Sequence, residues 1–252
     1  MKNTVDILNR EFAKQDFSED KDYDCTTAKF IDMACNYAKI ENAIAVLSDL
    51  HAKISYICYG KFSHIFGLGR DTREMTKASI WEEEIFNRIH PDDLADKHLQ
   101  ELCFLHFIKQ QPREKRTDYF LMSKLRMKTT TNSYIPVMHR MFYIFGTSGE
   151  TLRMALCLYS PMPIDLPERC IIVNSSDGHT IEPEKQNKDN ILSTRERHIL
   201  SLIDKGMTSK DIAEMLHISI NTVSRHRQDI LGKLQVRNSI EACRIAKELK
   251  II

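Results

Sequence analysis

Residues 219–234 read SINTVSRHRQDILGKL. At 100° per residue Val223, Ile230 and Leu234, spaced i, i+7 and i+11, share one narrow stripe. Asn221, Arg225 and Gln228, spaced i, i+4 and i+7, crowd the opposite face. Their planar donor and acceptor groups are the kind that match base edges in a DNA major groove. A solvated face on an ordinary amphipathic helix looks the same, so the flanking sequence has to decide between the two.

Upstream, Ser193-Thr-Arg-Glu196 has the form of a capping box, in which a hydroxyl and a carboxylate satisfy backbone donors reciprocally. It precedes the apolar set Ile199, Leu200, Leu202 and Ile203, and Gly206 then suits a left-handed helix stop. Thr208-Ser-Lys-Asp211 is a second box with Asp in place of Glu, opening a helix that carries Ile212, Ala213, Met215 and Leu216. His217-Ile218-Ser219 is a short turn that leaves Ser219 to cap the quoted helix. Asn238-Ser-Ile-Glu241 starts a fourth helix, with Ala242, Ile245, Ala246 and Leu249 inward. Four helices, the second and third joined by a tight turn, predict an all-α helix-turn-helix unit. Its second helix would cross the DNA backbone, and its third would lie in the major groove with its N-terminal half at the bases.

The segment LSTRERHILSLIDKGMTSKDIAEMLHISINTVSRHRQDILGKLQV, residues 192–236, also resembles the LuxR/NarL-type (GerE-like) DNA-binding domain. The matching positions include Leu192, Thr194, Arg195, Glu196, Gly206, Ser209, Lys210, Ile212, Ala213, Leu216, Ile218, Ser219, Thr222, Val223, His226, Ile230, Lys233, Leu234 and Val236. Two positions depart from the family: Ser224 stands where it usually has Lys, and Asp229 where it often has Asn. Helix geometry and the resemblance together imply DNA contacts at Ser209, Lys210, Ser219, Asn221, Thr222, Ser224, Arg225, Arg227, Gln228 and Lys233. Arg225 or Arg227 would supply the cation on phosphate that Ser224 does not carry, and His226 would pack rather than touch a base. Region four of a sigma factor has a similar helical pair, but nothing upstream resembles the promoter-melting region such a factor needs.

The charge pattern agrees with a basic C-terminal module. Of 36 basic and 35 acidic side chains, 11 and 7 fall after residue 190, giving +4 there and −3 over the rest. The 252 residues suffice for two domains. The seven cysteines are odd in number and form no CxxC, which argues against a disulfide framework and a structural zinc site, and predicts small core residues. No apolar run reaches about 18 residues and MKNTVDILNREF lacks a signal h-region, so a cytoplasmic protein with no membrane partner is expected.

Before the module, AIAVLSDL (43–50) and KISYICYG (53–60) are strand-like runs, with KFSHIFGLG a short helical piece after them. Pro91-Asp92-Asp93 opens a longer helix through Leu94, Leu99, Leu102, Leu105 and Ile108. Three alternating strands follow at 119–128, 133–145 and 151–160, the last two joined by Gly146-Thr-Ser-Gly149. Two strands, short helices, a longer helix and three antiparallel strands, with the IHPDDL segment, resemble a PAS domain. That resemblance implies sensing through a pocket between sheet and helices. A receiver is not expected, because the early acids Glu19, Asp20, Asp22 and Asp24 lie in SEDKDYD with no apolar strand before them.

The cofactor expectation is none, with an unidentified small ligand in the PAS-like pocket left open. The flavin motif around a reactive Cys is absent, and Cys103 reads as core. His64 and His139 lack a supporting haem motif, Gly67-Leu-Gly69 lacks the rest of a dinucleotide fingerprint, and His90-Pro-Asp92 is explained by a helix cap rather than a metal.

The fold class expected is α+β: a PAS-like antiparallel sheet domain with flanking helices, followed by an all-α four-helix helix-turn-helix domain. The boundaries are a helical segment at 1–40, the sheet domain at 41–162, a linker at 163–190 and the DNA-binding domain at 191–252. In the linker, Ser176-Asp177-Gly178 predicts a small hairpin that is either a spacer or a docking element. Residues 26–39 read as a helix with Phe30, Met33, Ala34 and Tyr37 on one side, serving dimerisation or covering its own sheet. The function expected is a one-component transcription regulator without catalysis, a homodimer on double-stranded DNA. Its rival is an interaction protein whose DNA-binding module has weakened through Ser224 and Asp229.

Overall fold

The computed structural model describes residues 2–13, 17, 23–69, 74–146, 151–164, 166, 169–182, 192–234, 236, 238–248 and 251–252. Packing divides the chain into two units, residues 1–183 and 184–252.

The first unit is built on an antiparallel sheet of β1 Ile44–Asp49, β2 Ile54–Tyr59, β3 Glu74–Lys77, β4 Tyr119–Lys128, β5 Tyr134–Phe145, β6 Leu152–Pro161, β7 Cys170–Asn174 and β8 Thr180–Ile181. The strand order is β3-β2-β1-β6-β5-β4-β7-β8. Side chains alternate across each strand, so the sheet has two distinct faces. One face collects Ala45, Leu47, Cys58, Met154 and Leu158 against α2, Tyr23–Glu41. The other collects Ser48, Ser55, Ile57, His139, Met141, Cys157 and Tyr159, paired strand to strand. It faces α4, Pro91–Gln110, whose Glu101 carbonyl accepts from Tyr143 Oη. The N-terminal helix α1, Lys2–Ala13, packs on α4, and the short α3, Glu83–Phe86, places the Phe86 ring beneath Lys97.

The start of α4 is fixed locally. Pro91 stands at its first turn and the His90 side chain accepts from the Asp92 amide, so His90-Pro-Asp92 is a cap. Asp93 then accepts from Arg126 on β4 at 2.7 to 2.9 Å, pinning the helix to the sheet.

Three sequence expectations need correction here. The buried side of α2 is Ala34, Cys35 and Ala38, while Met33 is 62% exposed and Tyr37 sits at the surface. The inward face is thus rotated toward the small residues, which let the helix lie close to the sheet. Cys35 and Cys58 meet across that contact, Cα atoms 5.1 Å apart, and form a disulfide. A cysteine count carries no sign of a pair that only the packing of α2 on β2 brings together. The hairpin at 170–181 exists, but β7 pairs with β4 from Tyr119↔Asn174 to Ser123↔Cys170, so it extends the sheet of the first unit instead of standing as a free spacer. Of the other cysteines, Cys103, Cys157, Cys170 and Cys243 are buried and keep their thiols outside that disulfide. The expected loop Gly146–Gly149 and the charged stretch SEDKDYD lie largely outside the described residues.

The second unit contains α5 Thr194–Asp204, α6 Ser209–Met215, α7 Ile220–Leu234 and α8 Ser239–Glu248. Both capping boxes form as read, Ser193 with Glu196 and Thr208 with Asp211. Gly206 takes a left-handed φ of 84° just past α5, where a side chain would be strained. Ser219 Oγ accepts from the Thr222 amide at 3.0 Å and Asn238 Oδ1 from the Glu241 amide at 2.9 Å, starting α7 and α8. Ile199, Leu200, Leu202, Ile212, Val223, Ile230, Leu234, Ala242, Ile245 and Ala246 close the core. Met215, expected inward, is 53% exposed.

Candidate functional site

The α6–α7 pair presents the face predicted from the sequence, but with fewer free groups. Val223, Ile230 and Leu234 turn inward, which turns Asn221, Ser224, Arg225 and Gln228 outward and leaves them exposed. Lys210, at the start of α6, is exposed as well. None of these five takes a side-chain hydrogen bond among the described residues. Ser219 and Thr222 are exposed, but their hydroxyls bond each other at 2.8 Å in the cap of α7.

The other predicted contacts are committed inside the unit. The Arg227 guanidinium donates to Ser209 Oγ and to Ser239 Oγ, each at 3.0 Å, and so ties α7 to the starts of α6 and α8. Lys233 Nζ donates to both oxygens of Glu196, at 2.8 and 2.7 Å. Arg195 reaches from α5 to the Leu216 carbonyl that ends α6. Arg227, Lys233 and Ser209, placed at DNA by helix geometry and the family resemblance, thus also bond within the unit. The bonds that hold them run between helices and have no short-range signature. His226 is half-buried and its Nδ1 lacks a partner, in keeping with a packing role.

Glu196 is the electrostatic centre of this network. Burial alone would raise its pKa, but the hydrogen bonds from Lys233 and from the Ser193 amide and hydroxyl outweigh that and hold the carboxyl below its ordinary value. The folded form therefore releases its proton more readily than the unfolded chain. The stability this confers is complete above the unfolded carboxylate pKa and is lost as pH falls through the folded one. Lys233→Ala leaves a buried carboxylate without its cation and is expected to lower the stability of the second unit by about 1–3 kcal/mol. It should leave the salt dependence of DNA binding unchanged. Hydrogen exchange of the α5–α7 amides, measured beside DNA titrations, checks both outcomes.

The first unit holds a second polar site, on the inner face of its sheet. Lys97 and Glu101, one helical turn apart on α4, form an ion pair while only 2% and 4% exposed. Burial would push the Lys97 ammonium down, but the Glu101 carboxylate and neighbouring groups more than reverse this, so its pKa stands well above the usual lysine value. Glu82 accepts from the Ser48 and Ser55 hydroxyls at 3.0 and 3.1 Å, and burial raises its carboxyl pKa. Cys157 is a buried thiol whose pKa burial pushes up. His139 is wholly buried and its pKa is driven well below the ordinary value, so its imidazole is neutral. His98 sits edge-on to Trp81 and Phe86, and burial lowers its pKa to about 4. Ser48, Glu82, Phe86, Lys97, Glu101 and Cys157 are among the residues that line a cavity of about 30 Å³. Beside it, a wider cavity of about 600 Å³ is lined by Phe12, Leu50, His51, Ile80 and Trp81.

The sequence reading missed this chamber, apart from weighing His139. Lys97, His98 and Glu101 look like a solvated helix face, and Leu94 and Leu99, expected inward, are only half-buried. A signal was present in the strands: Ser123 interrupts Leu121 and Leu125, and His139 interrupts Val137 and Met141, at inward positions. His64 is exposed and lies apart from this cluster.

Because His98 is held neutral, the unfolded chain takes up the extra proton below pH 6.5, and the first unit is expected to lose stability as pH falls from 6.5 toward 4. Trp81 fluorescence, the only tryptophan signal, follows that unit. His98→Phe should reduce the pH dependence across this window, the remainder belonging to His139, which is also held neutral.

Comparison with known proteins bears on the second unit. The family described as "Bacterial regulatory proteins, luxR family" matches residues 190–246. The oxygen regulatory protein NreC of Staphylococcus haemolyticus (strain JCSC1435) is 35% identical over 91 residues, covering 35% of this chain and 42% of that protein. The uncharacterized response regulatory protein YgeK of Escherichia coli (strain K12) is 40% identical over 67 residues, covering 27% of this chain and 46% of that one. The chain thus spans less than half the length of these relatives. A crystal structure of a phage VqmA–DPO complex aligns over 94% of this chain and 92% of that one, at 15% identity and a TM-score of 0.31, too loose to assign a shared fold. No helix among the described residues is long and apolar enough to cross a membrane.

Proposed function

We propose that this chain, which carries a luxR-family helix-turn-helix domain at its C-terminus, is a one-component, sequence-specific transcription regulator in which the sheet unit senses a signal and no step is catalytic. The observation that carries the DNA-binding part is the outward face of α7. Asn221, Arg225 and Gln228 stand exposed on the helix that follows the tight turn, with Ser224 beside them and Lys210 at the start of the helix before it. Such a helix reads bases while the preceding one is held on phosphate.

Support for sensing comes from the first unit. Its element order, β1, β2, β3, α3, α4 and then β4, β5 and β6, follows the PAS-like reading with β3 added. The cavity of about 600 Å³ falls within the range of small-ligand pockets, roughly 300–1,000 Å³.

The proposed active form is a homodimer on two half-sites. On α8, Ala242, Ile245 and Ala246 are buried inside their own unit, so a surface for the partner copy would use other groups. Ile240 is 85% exposed on α8, and Met33 and Ile40 are 62% and 81% exposed on α2.

A second reading, a protein-interaction module with weak DNA affinity, is favoured by the internal commitment of Arg227 and Lys233 and by the exposed Asp229. Titration of random-sequence duplex with the full chain at several salt concentrations separates the two. The regulator should bind with affinity that falls steeply as salt rises, through counterion release. An absence of binding at low salt would favour the second reading.

A further inference from the structure

The inner face of the sheet unit brings three different metal-ligating side chains to one point. Glu101 of α4, His139 of β5 and Cys157 of β6 are all buried, and one donor atom from each lies within 4.8 Å of the other two. We propose that these residues bind one borderline-soft divalent transition metal ion, zinc being the type, with a fourth position open to the adjoining small cavity. The proposal goes beyond the DNA-binding reading and stands or falls without it.

Four observations support it. The first is the state of His139. Its Nδ1 lies 3.1 Å from Ser123 Oγ, and its Nε2 is buried with no hydrogen-bond partner. A histidine held through one ring nitrogen, with the other left for the ion, is how metal-binding imidazoles are oriented. Left empty, that nitrogen is a buried polar atom with nothing to repay its desolvation.

The second is the donor set. One imidazole nitrogen, one carboxylate oxygen and one thiolate sulfur suit a borderline-soft ion, whereas calcium and magnesium take oxygen ligands almost alone. Three protein ligands and an open position are the arrangement of zinc sites that bind a further group.

The third is size. The adjoining cavity of about 30 Å³, which Glu101 and Cys157 line, has room for a water beside the ion, and is about tenfold below what a small organic ligand needs.

The fourth is charge. Lys97 donates to Oε1 of Glu101, so an ion would take the other carboxylate oxygen. A divalent ion with one thiolate and one carboxylate is a neutral set, so the nearby ammonium is not opposed by a net positive centre. Binding replaces the Cys157 thiol proton, which passes to solvent as the metal–sulfur bond forms. The comparable group in the second unit, Glu196, His226 and Asp229, has both Glu196 oxygens occupied by Lys233 and is not proposed.

The test uses the purified full chain. Elemental analysis should find about one zinc per chain. After chelation, added Co²⁺ should give tetrahedral visible bands and a thiolate-to-cobalt charge-transfer band. Cys157→Ser and His139→Gln should abolish the charge-transfer band and the stoichiometric metal, while Cys243→Ser, in the other unit, keeps both. Ser123→Ala should weaken affinity roughly 10–100-fold by releasing the imidazole. The wild-type spectrum decides the matter even where a variant fails to fold. A wild-type chain with neither stoichiometric metal nor a thiolate–cobalt band overturns the proposal. A band that survives in folded Cys157→Ser does so too, since it would come from other cysteines.

Discussion

Replacing Glu101 by alanine is expected to destabilise the sheet unit by about 3–5 kcal/mol, because it strands a buried ammonium. Lys97 is 2% exposed, and Glu101, one turn away at 4%, is its ion-pair partner. Glu82 is near enough to affect Lys97, but its carboxyl is already held by Ser48 and Ser55 and cannot simply take over. The expected loss is mostly the cost of an uncompensated buried charge. The worth of the intact pair is a separate and smaller quantity, since two desolvated ions forfeit much of what they gain from each other. The double variant Lys97→Met/Glu101→Leu should therefore recover most of the loss, and could equal or exceed the parent. Denaturant unfolding of chelator-treated protein, followed through Trp81, measures both variants. A Glu101→Ala cost below about 1 kcal/mol, or a double variant as unstable as the single one, would show that the chamber is wet rather than closed.

The second large effect belongs to the DNA-reading face. Arg225 is exposed at the centre of the outward side of α7, where its guanidinium can pair with guanine O6 and N7. Such a bidentate pair gives about 1–3 kcal/mol of discrimination. Arg225→Ala should relax preference at one base position in each half-site. Lys210→Ala acts differently, because a phosphate contact carries no sequence information. It should weaken specific and random duplex alike and lower the salt slope by roughly one counterion per subunit. Base-substituted duplexes titrated at several salt concentrations separate the two behaviours. If Arg225→Ala leaves base preference intact, the helix sits in another register and Asn221 or Gln228 becomes the reader.

What could be read from sequence follows the range of the interactions involved. The caps at Ser193, Thr208, Ser219 and Asn238 involve residues three apart, and each lies in the chain where it was read. The strands β4 and β5 announce themselves by alternation over ten or more residues, whereas β6 is buried along nearly its whole length. Short β3 offers only four residues and no comparable pattern. The Cys35–Cys58 disulfide, the Arg227 bridge to Ser209 and Ser239, and the Lys233–Glu196 pair join residues 12 to 37 apart, so no local pattern marks them. The chamber was hidden for a related reason. Lys97, His98 and Glu101 are charged or polar residues on a helix, and the usual rule places such residues in water. They are nonetheless buried, with Lys97 and Glu101 paired to each other and His98 held among the rings of Trp81 and Phe86.

In the DNA-contact set, Lys210, Asn221, Ser224, Arg225 and Gln228 stand exposed without a side-chain hydrogen bond among the described residues, while Arg227 and Lys233 also bond across helices within the unit.

Selection of bound duplexes from a random-sequence pool by the full chain, followed by sequencing, tests the central claim most directly. The expected result is enrichment of a pseudo-palindromic site, with two half-sites about one helical turn apart and the preference at one position per half-site abolished in Arg225→Ala. A pool that is retained without enrichment of any sequence, or is not retained at all at low salt, would contradict it.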